Sequence, residues 1–458
     1  MNVPVTGTPS RRATSLVPHR PLLVALLLAV LTASAAGLQI QRAENRQGRL
    51  SADEHAYLRL ARDIVERGHW GDLGLKQPFR WAPGTPVLFA ATAKLTGRPV
   101  SRRTAYDAQI VVGTLLVPAT FLLAFLLAGP VAGLLAGAAV AFYEPLIRAT
   151  ATAGTETLGA LMVVLTAIAL VLAFRHPRPL IFAAPGAMLG LAALVRGDLV
   201  PVAVLLPVAV AVAVGRTARR RRTGLLAGVA MLAGAVLMMT PWSILASGHA
   251  RHFVPVTDGG AANLFVGTDL PAGGTIFGVK RQYATETRRV HPAVRHVRTY
   301  ALREQLVLDA VAARYPGKTR EAALRTAARD NLRRYALGRP VAFAGMEVRK
   351  LWRMWGGAYA GTHHRAGPLS VWEHRLLALL AVIGLVAGAV VARNVLLTLL
   401  AVLVVLTTLV DVAFVSEARH NVRLMPVLLA AGAAGWCLVV IPRVRARRRS
   451  APRPVPGT

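Results

Sequence analysis

Cysteine is almost absent. Cys437 stands alone in 458 residues, so no intrachain disulfide forms and cysteine says little about compartment. Acid is scarce too: 21 Asp+Glu face 54 Lys+Arg, a formal charge of +33. The chain has no G-x-x-x-x-G-K-[ST] phosphate loop, no G-x-S-x-G nucleophile turn and no internal repeat. These absences argue against a P-loop nucleotidase, an α/β-hydrolase and a repeat solenoid. The period-2 alternation of barrel strands is missing as well. What is present is apolar: 54% of residues are hydrophobic and the mean hydropathy is +0.49. The apolar stretches are continuous, and several approach the roughly 20 residues a helix needs to cross a bilayer. In lipid, helical bundles and closed barrels are the available solutions, and continuous runs select helices. The composition therefore predicts an all-α polytopic membrane protein. The basic excess is weak evidence for nucleic acid, and none is expected as a partner. Many of the arginines sit in short loops between spans, where topology accounts for them.

Eleven apolar runs are visible, at about 21–38, 83–97, 105–128, 130–148, 157–174, 179–195, 199–214, 224–247, 375–392, 395–415 and 424–441. Basic clusters favour the cytoplasmic side. Arg11, Arg12 and Arg20, the pair in "RHPR" (175–178), Arg219 to Arg222, and the five arginines between Arg443 and Arg449 all fall inside if one early run does not span. The weakest run is 83–97, "PGTPVLFAATAKLTG", which is short, opens with prolines and carries Lys94. It is expected as an interfacial helix, leaving about ten transmembrane helices plus external interfacial helices. Run 21–38 is read as an anchor, although "TASAAG" also fits a signal-peptide cleavage site. The expected organisation is a cytoplasmic tail (1–20), an N-terminal transmembrane module (21–247) with a first external loop (39–104), an external cap (248–373), C-terminal transmembrane helices (374–441) and a basic cytoplasmic tail (442–458).

In this acid-poor chain two carboxylates, Asp53 and Glu54, stand side by side in "SADEHAYLRLARDIVERG" (51–68). Ser51 and Glu54 fit the capping box S-x-x-E at a helix start. Tyr57, Leu60, Ala61 and Ile64 then form an apolar stripe, which predicts an amphipathic helix on the outer leaflet. The cap explains Glu54 better than Asp53. As a plain first-turn acid, Asp53 would be worth only about 0.3–1 kcal/mol.

The stretch "DEHAYLRLARDIVERGHWG", with "FRWAPGTP" at 79–86, resembles the first external loop of polyprenyl-phosphate-dependent glycosyltransferases. These are the membrane enzymes of glycosyltransferase family 39, the protein O-mannosyltransferases and the aminoarabinose transferases, with the GT-C fold. The family spacing of acid, Tyr, Ala and Gly falls on Asp53, Tyr57, Ala61 and Gly68, and Ala82-Pro83-Gly84 stands near its Pro-Pro-Gly. "TAGTETLGALM" (152–162) resembles the second-loop acid at Glu156, "ALVRGDLVP" (193–201) the L-x-R-P turn, and "EARHNVRLMP" (417–426) the R-Y-x-x-P start of a late span. Leu245-Ala246 occupy the place of the family's Arg-Asn. The resemblance implies an inverting transferase that moves a sugar from a polyprenyl-phosphate donor to a hydroxyl acceptor, with Asp53 as base. A carboxylate taking the acceptor proton is typically worth 10²–10⁴-fold.

The catalytic candidates are thus Asp53, Glu54 and Glu156. The leaving phosphate gains charge as the glycosidic bond breaks, and fixed cations stabilise it. Candidates for that task are Arg196, Arg419, His420, Arg423, Arg80 and Lys350. An Asp198 partner for Arg196 and headgroup anchoring for Arg419 and Arg423 are the competing readings. Asp53 with Glu156 is where a divalent metal would fit, but no tight ligand cluster supports one and no metal or cofactor is assigned. His363-His364 are adjacent and point apart on a helix. Segment 321–337 is expected as a helix on anionic headgroups, and 257–274 as turn-rich and flexible. The expected location is the cytoplasmic (plasma) membrane, with the site on the extracytoplasmic face. Two rival readings remain: a transporter or flippase of lipid-linked sugars, and a catalytically inactive scaffold.

Overall fold

The computed structural model describes residues 19–46, 48–71, 79–176, 178–361 and 366–450, with backbone alone at 19–20 and 443–450. Arg11, Arg12, Pro177 of "RHPR", His363 and His364 lie outside the described residues, as do the side chains of Arg20 and of the arginines from 443 to 449.

The chain enters on α1 (His19–Glu44), crosses back and forth, and before its last spans carries a subdomain that is external to the helix bundle. Among the described residues, eight helices are long and apolar enough to cross a membrane. They are α1, α4 (Arg102–Ala128), α7 (Glu156–Ala173), α9 (Val200–Thr217, with the turn 197–199 before it), α10 (Arg221–Ala250), α17 (Pro368–Val390), α18 (Val395–Ala413) and α20 (Met425–Ser450, apolar to Pro442). A ninth is a broken span, α5 (Pro130–Phe142) with α6 (Glu144–Thr150), bent by 58°. The break falls where Tyr143 takes an extended backbone just ahead of Glu144-Pro145, and proline removes a helical N–H. The remaining expected run, 179–195, is a shorter apolar element: a tight turn followed by α8 (Ala183–Val195).

Run 83–97 forms α3 (Gly84–Thr96), 13 residues or about 20 Å. That is too short to span, as the sequence predicted. Two contacts across the first loop fix its parity. The Arg46 guanidinium donates to the Ala151 carbonyl, and the Ala153 N–H donates to Glu54 Oε1 at 3.1 Å. Residues 46–54 and 151–153 therefore share a face, which requires the two crossings of α4 and α5–α6 and no third through α3.

Helix α2 (Ala52–Arg67) corrects an expectation. Leu58 and Ala61 pack with Phe89, Ala90 and Ala93 of α3, and Leu60 packs with Trp70, Phe79, Ala246 and Val254. Its apolar face meets protein, because α3 and the end of α10 lie where the leaflet was expected. The bundle core centres on α7, the most buried span. Helices α17 and α20 meet through glycines: a Cβ on Gly384 would lie 2.3 Å from the Gly432 carbonyl oxygen. Small residues of this kind let membrane helices approach to backbone contact.

The external subdomain has its own core, built by α11 (Gly260–Thr268), α12 (Ile276–Gln282), α13 (Ala284–Val290), α14 (Glu304–Ala312) and α15 (Arg320–Asn331). Two further expectations change here. Segment 257–274 holds a helix, α11, whose Ala261, Ala262, Phe265 and Val266 are buried; side-chain burial outweighs its glycine content. Segment 321–337 is helical, but Leu324, Ala327 and Ala328 pack into this core instead of onto headgroups. Helix α16 (Pro340–Trp355) returns the chain to the bundle, and the short turn α19 (Arg419–Val422) precedes α20.

Candidate functional site

Five connections meet at one end of the bundle: the first loop, the α6–α7 turn, the α8–α9 turn, the start of the external subdomain and the α18–α20 connection. Between them lies a cleft of about 290 Å³.

Asp53 reaches it from the first turn of α2. Ser51, in extended conformation, accepts from the Glu54 N–H at 3.2 Å, and Glu54 Oε2 accepts from the Ser51 N–H at 2.8 Å. Glu54 also pairs with Arg46 at 2.9 Å and is buried. It locks the helix start, outside the cleft lining, while its neighbour Asp53 faces the opening. Arg419 Nη1 donates to Asp53 Oδ2 at 3.0 Å, and Arg419 Nε lies 3.0 Å from Glu417 Oε2. Burial pushes the Asp53 carboxyl up, but the charges of Arg419 and Arg80 and a Trp81 hydrogen bond hold it below its ordinary value. Half-buried Tyr57 lies one turn on. Desolvation and the charges of Asp53 and Glu156 push its phenol up, so it stays a neutral donor.

The other walls bring further charges. Arg80 pairs with Glu304 of α14 at 3.0 Å and lies 5.4 Å from the centre of the Trp81 ring. Arg196 pairs with Asp198 at 2.8 Å and donates to Thr155 Oγ1 at 2.9 Å; Glu156 is 3.9 Å away. Arg423 is fully buried behind the lining, bonded to Asp198 Oδ1 at 2.6 Å and to both oxygens of Asp411 at 2.6 and 2.7 Å. His420 lines the cleft with a buried Nδ1 that has no hydrogen-bond partner among the described residues, 3.8 Å from Asp411. Burial, then the charges of Arg196, Arg419 and Arg423, hold its imidazole well below the usual range, so it is neutral at physiological pH.

Of the residues singled out from the sequence, Asp53, Arg80, Arg196, Arg419 and His420 line one cleft, and Glu156 and Arg423 stand directly behind it. Lys350 is elsewhere. Fully buried on α16, it donates to the Gly267 carbonyl at 2.9 Å and pairs with Glu347 at 3.1 Å, tying the external subdomain down. Four cleft acids lay outside the sequence candidates: Asp198, named there only as a partner for Arg196, and Glu304, Asp411 and Glu417. Asp411 did carry a signal, an ionisable residue inside an apolar run. Among the described residues, no three His, Cys, Asp or Glu side chains converge as a metal site.

Among the described residues the lining holds five carboxylates (Asp53, Asp198, Glu304, Asp411 and Glu417) against three arginines. Each of those guanidiniums is already paired.

No family model matches the chain, and no curated protein matches it. Solved structures do. The archaeal oligosaccharyltransferase AglB from Archaeoglobus fulgidus, in complex with an inhibitory peptide and a dolichol-phosphate, aligns over 96% of this chain and 53% of its own, at 13% identity and a TM-score of 0.56. The apo form of the Archaeoglobus fulgidus oligosaccharyltransferase aligns over 95% and 53%, at 13% identity and a TM-score of 0.57. The chain has the GT-C fold. It spans about half the length of the oligosaccharyltransferases it matches. ArnT from Cupriavidus metallidurans bound to undecaprenyl phosphate aligns over 95% of this chain and 81% of its own, at 17% identity and a TM-score of 0.39. In this GT-C chain the cleft lies between the membrane bundle and the external subdomain, with walls from both.

Proposed function

We infer that the chain is an inverting glycosyltransferase that moves a sugar from a polyprenyl-phosphate donor to a hydroxyl acceptor. The observation that carries this reading is the Asp53–Arg419 ion pair in the cleft, a carboxylate and a guanidinium 3.0 Å apart. The fold supports it, since a GT-C neighbour was solved with a dolichol-phosphate.

The chemistry needs two separated charges. As the acceptor hydroxyl attacks the anomeric carbon from the face opposite the phosphate, its proton passes to Asp53. The carbon–oxygen bond to the phosphate breaks, and the electron pair leaves on the polyprenyl phosphate. Arg419, Arg196 and Arg80 are the cations available to that leaving group, and guanidinium forks suit phosphate oxygens. Paired with Arg419, Asp53 is held ionised and weakly basic. A phosphate that takes over Arg419 frees Asp53 and lets burial raise its basicity, so the base is activated only when the donor is present. Glu156 is a second-row anchor, acting on the cleft through Arg196. Glu54 is left to the helix cap, and Arg423 to orienting Asp198 and Asp411.

The cleft is assigned to the extracytoplasmic face of the cytoplasmic membrane. The arginine-rich turn 219–222 sits at the end of α9 remote from Asp198, and such clusters favour the cytoplasm.

The test is mass spectrometry of envelope polymers and glycoproteins from cells with and without the gene. One sugar missing from one hydroxyl-linked position supports the reading. Unchanged glycans, together with a changed pool of lipid-linked sugar precursors, would favour a flippase.

A further inference from the structure

At the end of the bundle away from the cleft lies a second hollow of about 310 Å³, between the end of α7, the turn before α8, the end of α9 and the start of α10. Helix α9 separates the two: its 18 residues run about 27 Å from the Asp198 turn to Thr217, close to the thickness of a bilayer core. The hollow is therefore at the opposite membrane surface.

Its interior is apolar, with Phe174 and Phe182 edge-to-face at 5.2 Å, Pro179 and Val214. Its rim is cationic. Arg175 lines it, with one N–H donated to the Leu126 carbonyl at 2.7 Å, and Arg216 and Arg219 to Arg222, beside the lining residues Thr217, Ala218 and Thr223, follow on the α9–α10 turn, all exposed. No carboxylate pairs with any of them among the described residues, and between 145 and 257 the sequence has only Glu156 and Asp198, both at the cleft end. The cleft arginines contrast with this, since all are matched. Arg219 also adopts a left-handed backbone, φ 52°, where glycine is the usual residue. Thr217 and Thr223 add hydroxyls at the mouth.

We propose that this hollow is a binding site for an anionic glycerophospholipid of the leaflet opposite the cleft, with an acyl chain against Phe174, Phe182 and Val214 and the headgroup phosphate on the arginine rim. Charge complementarity selects the occupant: unneutralised guanidiniums over an apolar hollow match a phosphate carried on hydrocarbon, and basic pockets between membrane helices hold anionic headgroups. Topology alone asks for positive charge on this side but not for a hollow beneath it. The site is independent of the sugar-transfer reading.

The test uses the full chain, stripped of lipid in detergent, then mixed with dioleoyl phosphatidylglycerol or dioleoyl phosphatidylcholine and examined by native mass spectrometry. Two variants separate charge from shape: Arg219→Gly combined with Arg220→Gln, and Ala218→Trp, which fills the hollow without changing charge. Removing the left-handed arginine relieves backbone strain, so the first variant should keep the wild-type unfolding temperature in lipid-free detergent. The expected result is selective retention of phosphatidylglycerol by the wild type, reduced about tenfold in each variant, the equivalent of about 1.4 kcal/mol. Equal retention of the two lipids, or wild-type retention in either variant, overturns the proposal.

Discussion

At the scale of single residues the account turns on how one carboxylate is held. The Asp53 side chain is 38% exposed at the cleft, so water screens its pair with Arg419 while the surrounding protein still partly desolvates the carboxylate. Such a pair is worth about 0–1 kcal/mol. Asp53→Asn should therefore unfold within about 1 kcal/mol of wild type. The pH dependence follows from the sign of the shift. Asp53 titrates below its ordinary value in the folded chain, so the stability its pair contributes is present above the unfolded carboxyl's pKa and is lost as pH falls through the folded one. At low donor concentration, where the rate reports the free enzyme, wild-type transfer should accordingly show no acid limb from Asp53 between about pH 5 and 8, given an ordinary Asp near 3.9. In Arg419→Gln the largest opposing influence is gone and burial prevails, so an acid limb should appear at higher pH than in wild type. A profile of transfer rate against pH for the two proteins checks this; superimposable profiles would mean Arg419 does not govern Asp53. The acid itself was legible in the sequence as a residue the helix cap did not need. Its counter-charges were less so, because Asp411, Glu417 and Glu304 reach the cleft from distant connections and carry no local motif.

At the scale of elements, the start of α2 and the seat of α3 decide where Asp53 stands. Glu54 is buried with Arg46 and two backbone N–H groups. Removing one partner of a buried pair costs about 3–5 kcal/mol. Glu54→Ala should lower stability by about 3 kcal/mol, while the folded fraction keeps most of its transfer activity. A thermal melt and a rate normalised to folded protein separate the two effects, and an intact melt with lost transfer would make Glu54 chemical after all. Gly84 has a different task. A Cβ there would lie 2.7 Å from Val195 Cγ2 and 3.0 Å from Val195 Cα, so glycine lets α3 close against the end of α8 beside Arg196. Gly84→Leu should cost about 1–3 kcal/mol through overpacking and reduce transfer by shifting the loop that carries Arg80; stability measured with the transfer rate checks it. The capping box, the short α3 and the spans were readable because each is encoded locally, in S-x-x-E, in a proline-flanked 13-residue run and in continuous hydrophobicity. The inner face of α2 meets protein where its pattern alone suggests lipid. Amphipathicity shows which side is buried, but not whether protein or lipid covers it.

On the scale of the whole molecule, two bodies share the cleft and Lys350 joins them. Its ammonium, wholly buried, holds the Gly267 carbonyl and Glu347. Lys350→Met leaves both unpaired at a cost of about 1–3 kcal/mol. The expected outcome is faster proteolysis between 251 and 339 with the membrane bundle intact; an unchanged cleavage pattern would show that the subdomain is held by other contacts. The external core was largely hidden in the sequence. Its helices are short, and Ala261, Phe265, Leu324 and Ala328 come together only in three dimensions. The bundle was visible because each span is its own signal. The most direct measurement is complementation: cells lacking the gene receive wild type or Asp53→Asn at equal membrane abundance and melting temperature, and their envelope glycans are read by mass spectrometry. Restoration of the missing sugar by wild type alone is the predicted result. Full restoration by Asp53→Asn would contradict the account.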